Sequence, residues 1–399
     1  MTEKLYLQNP YLREIDGRII EKKYMNNRYY LKLNRTIFYP NLVGGQPGDI
    51  GTINGVEVLE AYEEGNDIIH VVKDNIHSDK VQLSIDWENR LDYMQQHSGQ
   101  HLLSAAFYKL YNGETVGFYI GKEYVYIDVT IPELTEEEVD KIETFANRII
   151  FSNFQIKSYI IEKKDVEKIP VRKQPTVNSN IRIVEIDGID FSPCGGTHHR
   201  STGEIGLIKI RKWEKYKGNT RVEFVCGNRA LKDYTWKNKY IKDIGLLLSS
   251  KDTDVYQKVN KLYLQKEDLE KENRDLRERL YKYKSEEFFK ESININKINY
   301  IFKELKDVDY KEISFISSYL NNKENLIQIY GLNNDGKGQF LISRSNNLDI
   351  NLKNILKDIS SEISIKGGGS LQTVQGGCSI DELSMVINKF YEKIKASQS

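Results

Sequence analysis

Two donor pairs far apart in the sequence constrain this chain more than anything else in it: His97-Ser98-Gly99-Gln100-His101 and Cys194-Gly195-Gly196-Thr197-His198. The stretch Gln95 to Leu103 reads as helix, and residues at i and i+4 on a helix lie above one another, so both imidazoles reach one point. Neutral imidazole nitrogen at about 2.0–2.1 Å suits Zn²⁺, but two ligands do not hold it. The Cys194 turn, with two glycines that let a thiolate and a third imidazole fold inward, supplies the rest. The expected metal set is therefore His97, His101, Cys194 and His198, with one Zn²⁺ per chain. His199 is left outside, because adjacent side chains usually point apart. A fold that satisfies this set must bring a helix and a distant loop together.

The segment before the helix is built differently. Glu14 to Lys22, Arg28 to Leu33, Gly55 to Tyr62, Asp67 to Val72 and Lys80 to Ile85 are short, β-rich and separated by turn residues, which predicts a small barrel or sandwich over 1–88. Within it, Arg35 to Asp49 carries Thr36 and the pair Gly44-Gly45. Paired glycines permit close backbone approach to a ligand, and equally a hairpin connection with positive φ. From Trp87 to about Tyr111 the period becomes helical, with Leu91, Met94, Leu102, Leu103, Phe107 and Leu110 as an apolar face. A strand at Val125 to Val129, a helix at Thr135 to Phe151, a strand at Asn180 to Ile186 and a closing hairpin at Ile205 to Trp213 and Thr220 to Cys226 complete an α+β core over 89–227.

Beyond it, Asn228 to Leu248 and Asp254 to Lys290 read as helices forming a linker over 228–292. In the second, Leu262, Leu269, Leu276 and Tyr283 recur every seven residues, and Val259, Lys266, Asn273 and Leu280 fill the other seam position. That is a coiled-coil seam, and if it pairs between chains it makes a homodimer; the other reading is a solvated helix packed on its own chain. From Ile293 a βα-patterned domain follows, with strands at Leu326 to Tyr330 and Gln339 to Ser343 and a helix at Leu348 to Ile363. It holds Lys366-Gly367-Gly368-Gly369-Ser370 and Gln375-Gly376-Gly377. Glycine clusters expose backbone N–H groups to phosphate oxygens, although a plain flexible loop has the same composition.

Charge and cysteine content exclude several classes. With 58 basic and 58 acidic residues there is no global case for nucleic acid, so any such contact must be local. Three cysteines and an N-terminus without an apolar core point to a reducing compartment and no signal peptide, and no apolar run approaches the roughly 18 residues of a membrane span. A cytoplasmic protein is expected.

His97-x3-His101 and Cys194-x3-His198, preceded by Thr36 to Asp49 and joined by Gly117-Phe118-Tyr119-Ile120-Gly121, resemble the editing domain of alanyl-tRNA synthetase and its freestanding relatives, the AlaX proteins. The likeness covers roughly Thr36 to Cys226, and an editor without a synthetase is the expectation. The resemblance implies hydrolysis of serine, and secondarily glycine, from mischarged tRNA(Ala), with substrate contacts from Thr36, Gly44, Gly45, Gln46 and Gln100, and with Thr36 as the reader of the serine hydroxyl. The glycine-rich tail resembles the C-terminal domain of alanyl-tRNA synthetase, which implies tRNA contacts at Lys366, Gly367, Gly368, Gly369, Gln375, Gly376 and Gly377. A different ester hydrolase, or a tRNA-binding module with purely structural zinc, fits the same residues, because four protein donors close a tetrahedral shell. No general base stands out; Gln100 and Thr36 suit orientation better than proton abstraction.

Overall fold

Alternation of polar and apolar residues from Glu14 onward builds the first sheet of the computed structural model, which describes residues 1–398 except 42, 176, 178 and 335. Residue 42, in the stretch that carries Gly44 and Gly45, thus lies outside the described residues. Strands β1 (Glu14–Met25), β2 (Arg28–Leu33), β3 (Gly51–Ile53), β4 (Val56–Glu64), β5 (Asp67–Val72) and β6 (Lys80–Ile85) close in the order β1-β2-β5-β4-β3-β6. The ring is completed where β6 returns to β1, Gln82 opposite Asp16. In β6 the alternation is explicit: Val81, Leu83 and Ile85 face in while Lys80 and Gln82 face out. Asn26 and Asn27, with φ of 50° and 62°, make the tight β1–β2 turn that a twisted hairpin requires. The sequence reading misses β3, which is only three residues long and too short to show a period.

Helix α1 (Trp87–Tyr111) starts where the Asp86 carboxylate accepts from the Asn89 N–H at 3.1 Å and ends at Asn112 in the left-handed conformation. Every residue from Tyr93 to Phe107 is buried, so the helix is enclosed on all sides and its polar residues must find partners inside the protein. Gln96 does so by exchanging two hydrogen bonds with the backbone of Cys226, at 2.9 and 3.1 Å. Arg90 is fully buried with Asp49: its Nε lies 2.8 Å from the carboxylate, its Nη1 donates to the Pro10 carbonyl and its Nη2 to that of Ile37, each at 2.7 Å.

Against α1 pack a four-stranded sheet and a three-stranded one. The first runs β12-β13-β8-β7, from β7 (Thr115–Ile120), β8 (Val125–Val129), β12 (Ile208–Tyr216) and β13 (Asn219–Cys226). The second runs β9-β10-β11, from β9 (Ile156–Ile161), β10 (Ile181–Ile186) and β11 (Asp190–Pro193). Helix α2 (Glu136–Phe151) opens on a capping box between Thr135 and Glu138 and buries Val139, Ile142, Ala146 and Ile150 in the shared core. Helix α3 (Gly227–Leu247) ends this compact unit, Met1–Leu247.

The second unit, Leu248–Ser399, begins with α4 (Val255–Lys290). Its heptad residues are open: Leu262, Leu269, Leu276 and Tyr283 are each half or more exposed. Apart from the buried Val255 at its start, its packing among the described residues is at the C-terminal end, where Tyr281, Phe288 and Phe289 meet α5 (Tyr310–Leu320) and the sheet. That sheet has β14 (Ile293–Ile295), β15 (Ile298–Lys306), β16 (Leu326–Asn334), β17 (Lys337–Arg344), β18 (Lys366–Gly369) and β19 (Thr373–Ser379) in the order β14-β15-β16-β17-β19-β18. Helices α6 (Leu352–Glu362) and α7 (Ile380–Ala396) supply Ile355, Ile359, Leu383, Ile387 and Phe390 to its core. The glycine clusters are strands rather than loops: Gly367 pairs with Gly376 and Lys366 with Gly377, and β18 is a fully exposed edge.

Candidate metal centre

The enclosed helix α1 presents His97 and His101 toward the turn that follows β11, and Cys194 and His198 meet them there. Their ligand atoms all lie within 4.8 Å of one another. Cys194 Sγ is 3.4 Å from His97 Nε2 and 3.3 Å from His198 Nε2. Donors about 2.0–2.3 Å from a tetrahedral centre stand about 3.3–3.8 Å apart, so the Cys194 contacts already have the spacing of a zinc site, and the four donors together, within 4.8 Å, lie close to it.

Behind each imidazole stands a polar group. His97 Nδ1 is 2.9 Å from Gln46 Oε1, which leaves Nε2 facing the cluster; His198 Nδ1 is 3.2 Å from Ser98 Oγ. His101 Nδ1 lies 3.7 Å from the Asp190 carboxylate, which is itself fixed by Arg172 Nε at 2.9 Å and Ser192 Oγ at 2.8 Å. The hydrogen-bonded partners of His97 and His198 set the tautomer and aim the free nitrogen, whereas Asp190 acts on His101 through its charge, His101 Nδ1 having no hydrogen-bond partner among the described residues. Gln46 is in turn clamped to Thr197, so the ligand turn is tied to the barrel-side loop. Arg182 Nη1 donates to the carbonyls of Cys194 and Gly196, both at 2.9 Å, and holds the turn shut.

The electrostatics favour a thiolate. Burial raises the Cys194 thiol, and the three surrounding imidazoles outweigh burial and hold it well below its ordinary value. Burial pushes His198 well down, whereas for His101 the attraction of Cys194 and Asp190 overcomes burial and lifts it to about 9. These directions favour the anionic sulfur that a metal needs, and a metal competes with protons for its donors.

A cavity of about 590 Å³ opens beside the cluster, lined among others by Gly44, Gly45, Gln100 and Phe118. Gly45 has φ +73° and its missing Cβ would stand 2.3 Å from the Phe118 ring, so glycine is required there. Gln100 Nε2 donates to Ser104 Oγ at 2.9 Å, which leaves its carbonyl oxygen for a donor in the cavity. Two expected substrate contacts fall elsewhere. Gln46 braces His97 instead of lining the cavity. Thr36 is buried in the barrel, its hydroxyl 2.7 Å from His70 Nε2 and accepting from the Phe38 N–H at 3.0 Å, and it does not line the cavity either. His199 stays outside the cluster, its Nδ1 3.3 Å from the Tyr11 hydroxyl. Lys366 to Gly369 and Gln375 to Gly377 belong to the second unit and form its sheet edge. Sequence reasoning missed Ser98, Arg172, Arg182 and Asp190; the β10–β11 hairpin carries Arg182 and Asp190 to the site, Arg172 joins them through its N–H on the Phe191 carbonyl, and no local spacing announces that.

The segment that carries the Cys-x3-His turn is of the synthetase-associated class: residues 181–223 match the family described as Threonyl and Alanyl tRNA synthetase second additional domain, and the four donors that meet there could hold a metal. Over 399 aligned residues the chain is 33% identical to the alanyl-tRNA editing protein AlaX-L of Pyrococcus horikoshii, covering 94% of each. It is 29% identical over 384 residues to the alanyl-tRNA editing protein Aarsd1 of Danio rerio, covering 92% of this chain and 91% of that one. With the alanine-tRNA ligase of Methanococcus aeolicus it shares 28% identity over 95% of its own length but only 42% of the ligase. The chain belongs to the alanyl-tRNA editing protein family.

Proposed function

We propose that this protein removes wrongly attached amino acids from tRNA(Ala) in trans, cleaving the ester of Ser-tRNA(Ala) first and Gly-tRNA(Ala) second. The observation that carries the reading is the juxtaposition of three imidazoles and a thiolate with a cavity larger than an amino acid. A zinc ion held by His97, His101, Cys194 and His198 would supply Lewis acidity toward the ester carbonyl or a water once its shell expands to five or one donor loosens. The chain's own residues do the rest. Gln46 and Ser98 aim two of the imidazoles and Asp190 acts on the third through its charge, Phe118 and the Gly44-Gly45 backbone shape the cavity and exclude water, and Gln100 Oε1 accepts from the substrate's hydroxyl or ammonium. No carboxylate lines the cavity among the described residues, so the chain offers no Asp or Glu as general base. Residues 1–88 and 89–227 form the barrel and the editing core, 228–292 the linker, and 293–399 the part that holds tRNA away from the ester. The exposed edge strand Lys366–Gly369, paired with Gln375 to Gly377, offers unpaired backbone donors to phosphates. The α4 seam joins two copies, since its apolar residues have no cover within their own unit.

The test is release of free serine from Ser-tRNA(Ala), with Ala-tRNA(Ala) retained. Bound but uncleaved Ser-tRNA(Ala) would mean a tRNA-binding module, and equally fast cleavage of small serine esters a hydrolase indifferent to RNA.

A further inference from the structure

Apart from the Cys194 sulfur, the charged side chains that line the cavity beside the cluster are basic. The cavity's described lining includes three cations, Arg172, Lys173 and Arg182, and no aspartate or glutamate, in a chain whose 58 basic and 58 acidic residues balance. Arg172 is neutralised by Asp190, with Nε 2.9 Å from the carboxylate. Arg182 has no carboxylate within 4.0 Å among the described residues; its Nη1 is spent on two carbonyls, and the anionic charge acting most strongly on it is the Cys194 sulfur, which a bound metal would neutralise. Lys173 is exposed and likewise without a described partner. With a metal on the Cys194 sulfur, two cations without a carboxylate partner in a concave wall would focus a positive potential into the cavity. A guanidinium pinned by carbonyls keeps its plane fixed, which suits an anion of defined position.

The size of the cavity says which anion. At about 30 Å³ for a water-sized group, the seven heavy atoms of serine fill at most about 210 Å³. On the same measure the rest of the about 590 Å³ holds about a dozen further heavy atoms, enough for the terminal ribose and its 5′-phosphate but not for the base as well. We propose that Arg182 and Lys173 form a subsite for the phosphate on the 5′ side of the substrate's terminal adenosine, seating the ester beside His97, His101, Cys194 and His198. The assignment rests on the deacylase reading. It places recognition energy on a part of the substrate that does not react, where it is used to orient the part that does.

Direct binding tests this independently of turnover. The probes are two non-hydrolysable seryl-amide analogues of terminal adenosine, one with a 5′-phosphate and one without, titrated calorimetrically into the zinc-loaded full chain. The phosphorylated analogue should bind at least about tenfold more tightly, as expected for charge-assisted hydrogen bonds, and the advantage should shrink with added salt. Because Arg182 also holds the Cys194 turn, the variant is Lys173→Glu, which should erase the advantage while zinc content stays at one per chain. Equal binding of both analogues, binding of neither, or an undiminished advantage in Lys173→Glu overturns the subsite. Serine release from Ser-tRNA(Ala), assayed in parallel, keeps the two readings apart: its loss removes the deacylase, whereas equal analogue binding with intact release removes only the phosphate subsite.

Discussion

Gly196→Ala tests the architecture of the cluster with one methyl group. An ideal Cβ at Gly196 would stand 2.1 Å from His97 Cε1 and 2.4 Å from its Nδ1. Carbon atoms pack at about 3.5–4.0 Å, so the ring or the turn must retreat by about 1.4 Å or more. Metal sites tolerate deviations of about 0.2 Å in ligand distance, so His97 leaves the shell. The neighbouring glycine is the control, because a Cβ at Gly195 meets only the Val43 side chain, at 3.7 Å. Disturbing an outer partner costs about 10–100-fold in metal affinity, and loss of a ligand should exceed the upper end of that range. Chelator competition on purified protein reads the affinity, and far-ultraviolet circular dichroism confirms that both variants fold. Gly195→Ala should hold zinc like the parent chain and Gly196→Ala should not. A Gly196→Ala protein with the parent's zinc affinity would show that His97 is not a ligand.

Arg90→Met should strand the buried Asp49 carboxylate and cost about 3–5 kcal/mol, and at about 2–4 °C per kcal/mol for a unit of this size the midpoint of thermal unfolding should fall by about 6–20 °C; a smaller shift would mean that water reaches the pair. Thr36→Val should cost about 1–3 kcal/mol of stability by leaving His70 and the Phe38 N–H unpaired and should slow Ser-tRNA(Ala) and Gly-tRNA(Ala) hydrolysis alike, whereas a loss confined to serine would restore Thr36 as its reader. Glu204 is held at about 2, below its ordinary 4.5, first by His199 and then by the Tyr11 hydroxyl, so its contribution is complete above about pH 4.5 and is lost as pH falls through 2; Glu204→Gln should flatten that part of an acid-unfolding curve. Replacing both Leu269 and Leu276 by Asp should turn a sedimenting dimer into monomers that keep their zinc, and a parent chain that already sediments as a monomer at micromolar concentration would remove the seam from assembly.

Much of this architecture was legible because particular residues leave little choice. Strands at Arg28–Leu33, Asp67–Val72 and Lys80–Ile85 and the helix at Trp87–Tyr111 fall where period and turn chemistry put them. The donor set was readable because His-x3-His has one geometry on a helix. What escaped were elements too short for a period, such as Gly51–Ile53 and Asp190–Pro193, some longer ones such as Ile156–Ile161 and Ile380–Ala396, and groups whose role exists only through pairing. Asp190 reaches His101 across a hairpin, and Gln46 turns behind His97 because Thr197 claims its amide. The glycine clusters read as loops by composition, and pairing with each other across a ladder made them strands.

The single guanidinium of Arg90 gathers chain from residues 10, 37 and 49 onto the first turn of α1. Residues 1–88 are therefore a poor unit of exchange, since a barrel cut away from the helix would carry an unmatched buried carboxylate at Asp49 and two carbonyls stripped of their donor. A recombination event or an engineered fusion joined near residue 88 gives up that convergence, whereas one joined beyond α3 leaves it whole. In lineages that gain or lose parts of this chain, the barrel and the histidine helix should be inherited together, and breakpoints should collect beyond Leu247.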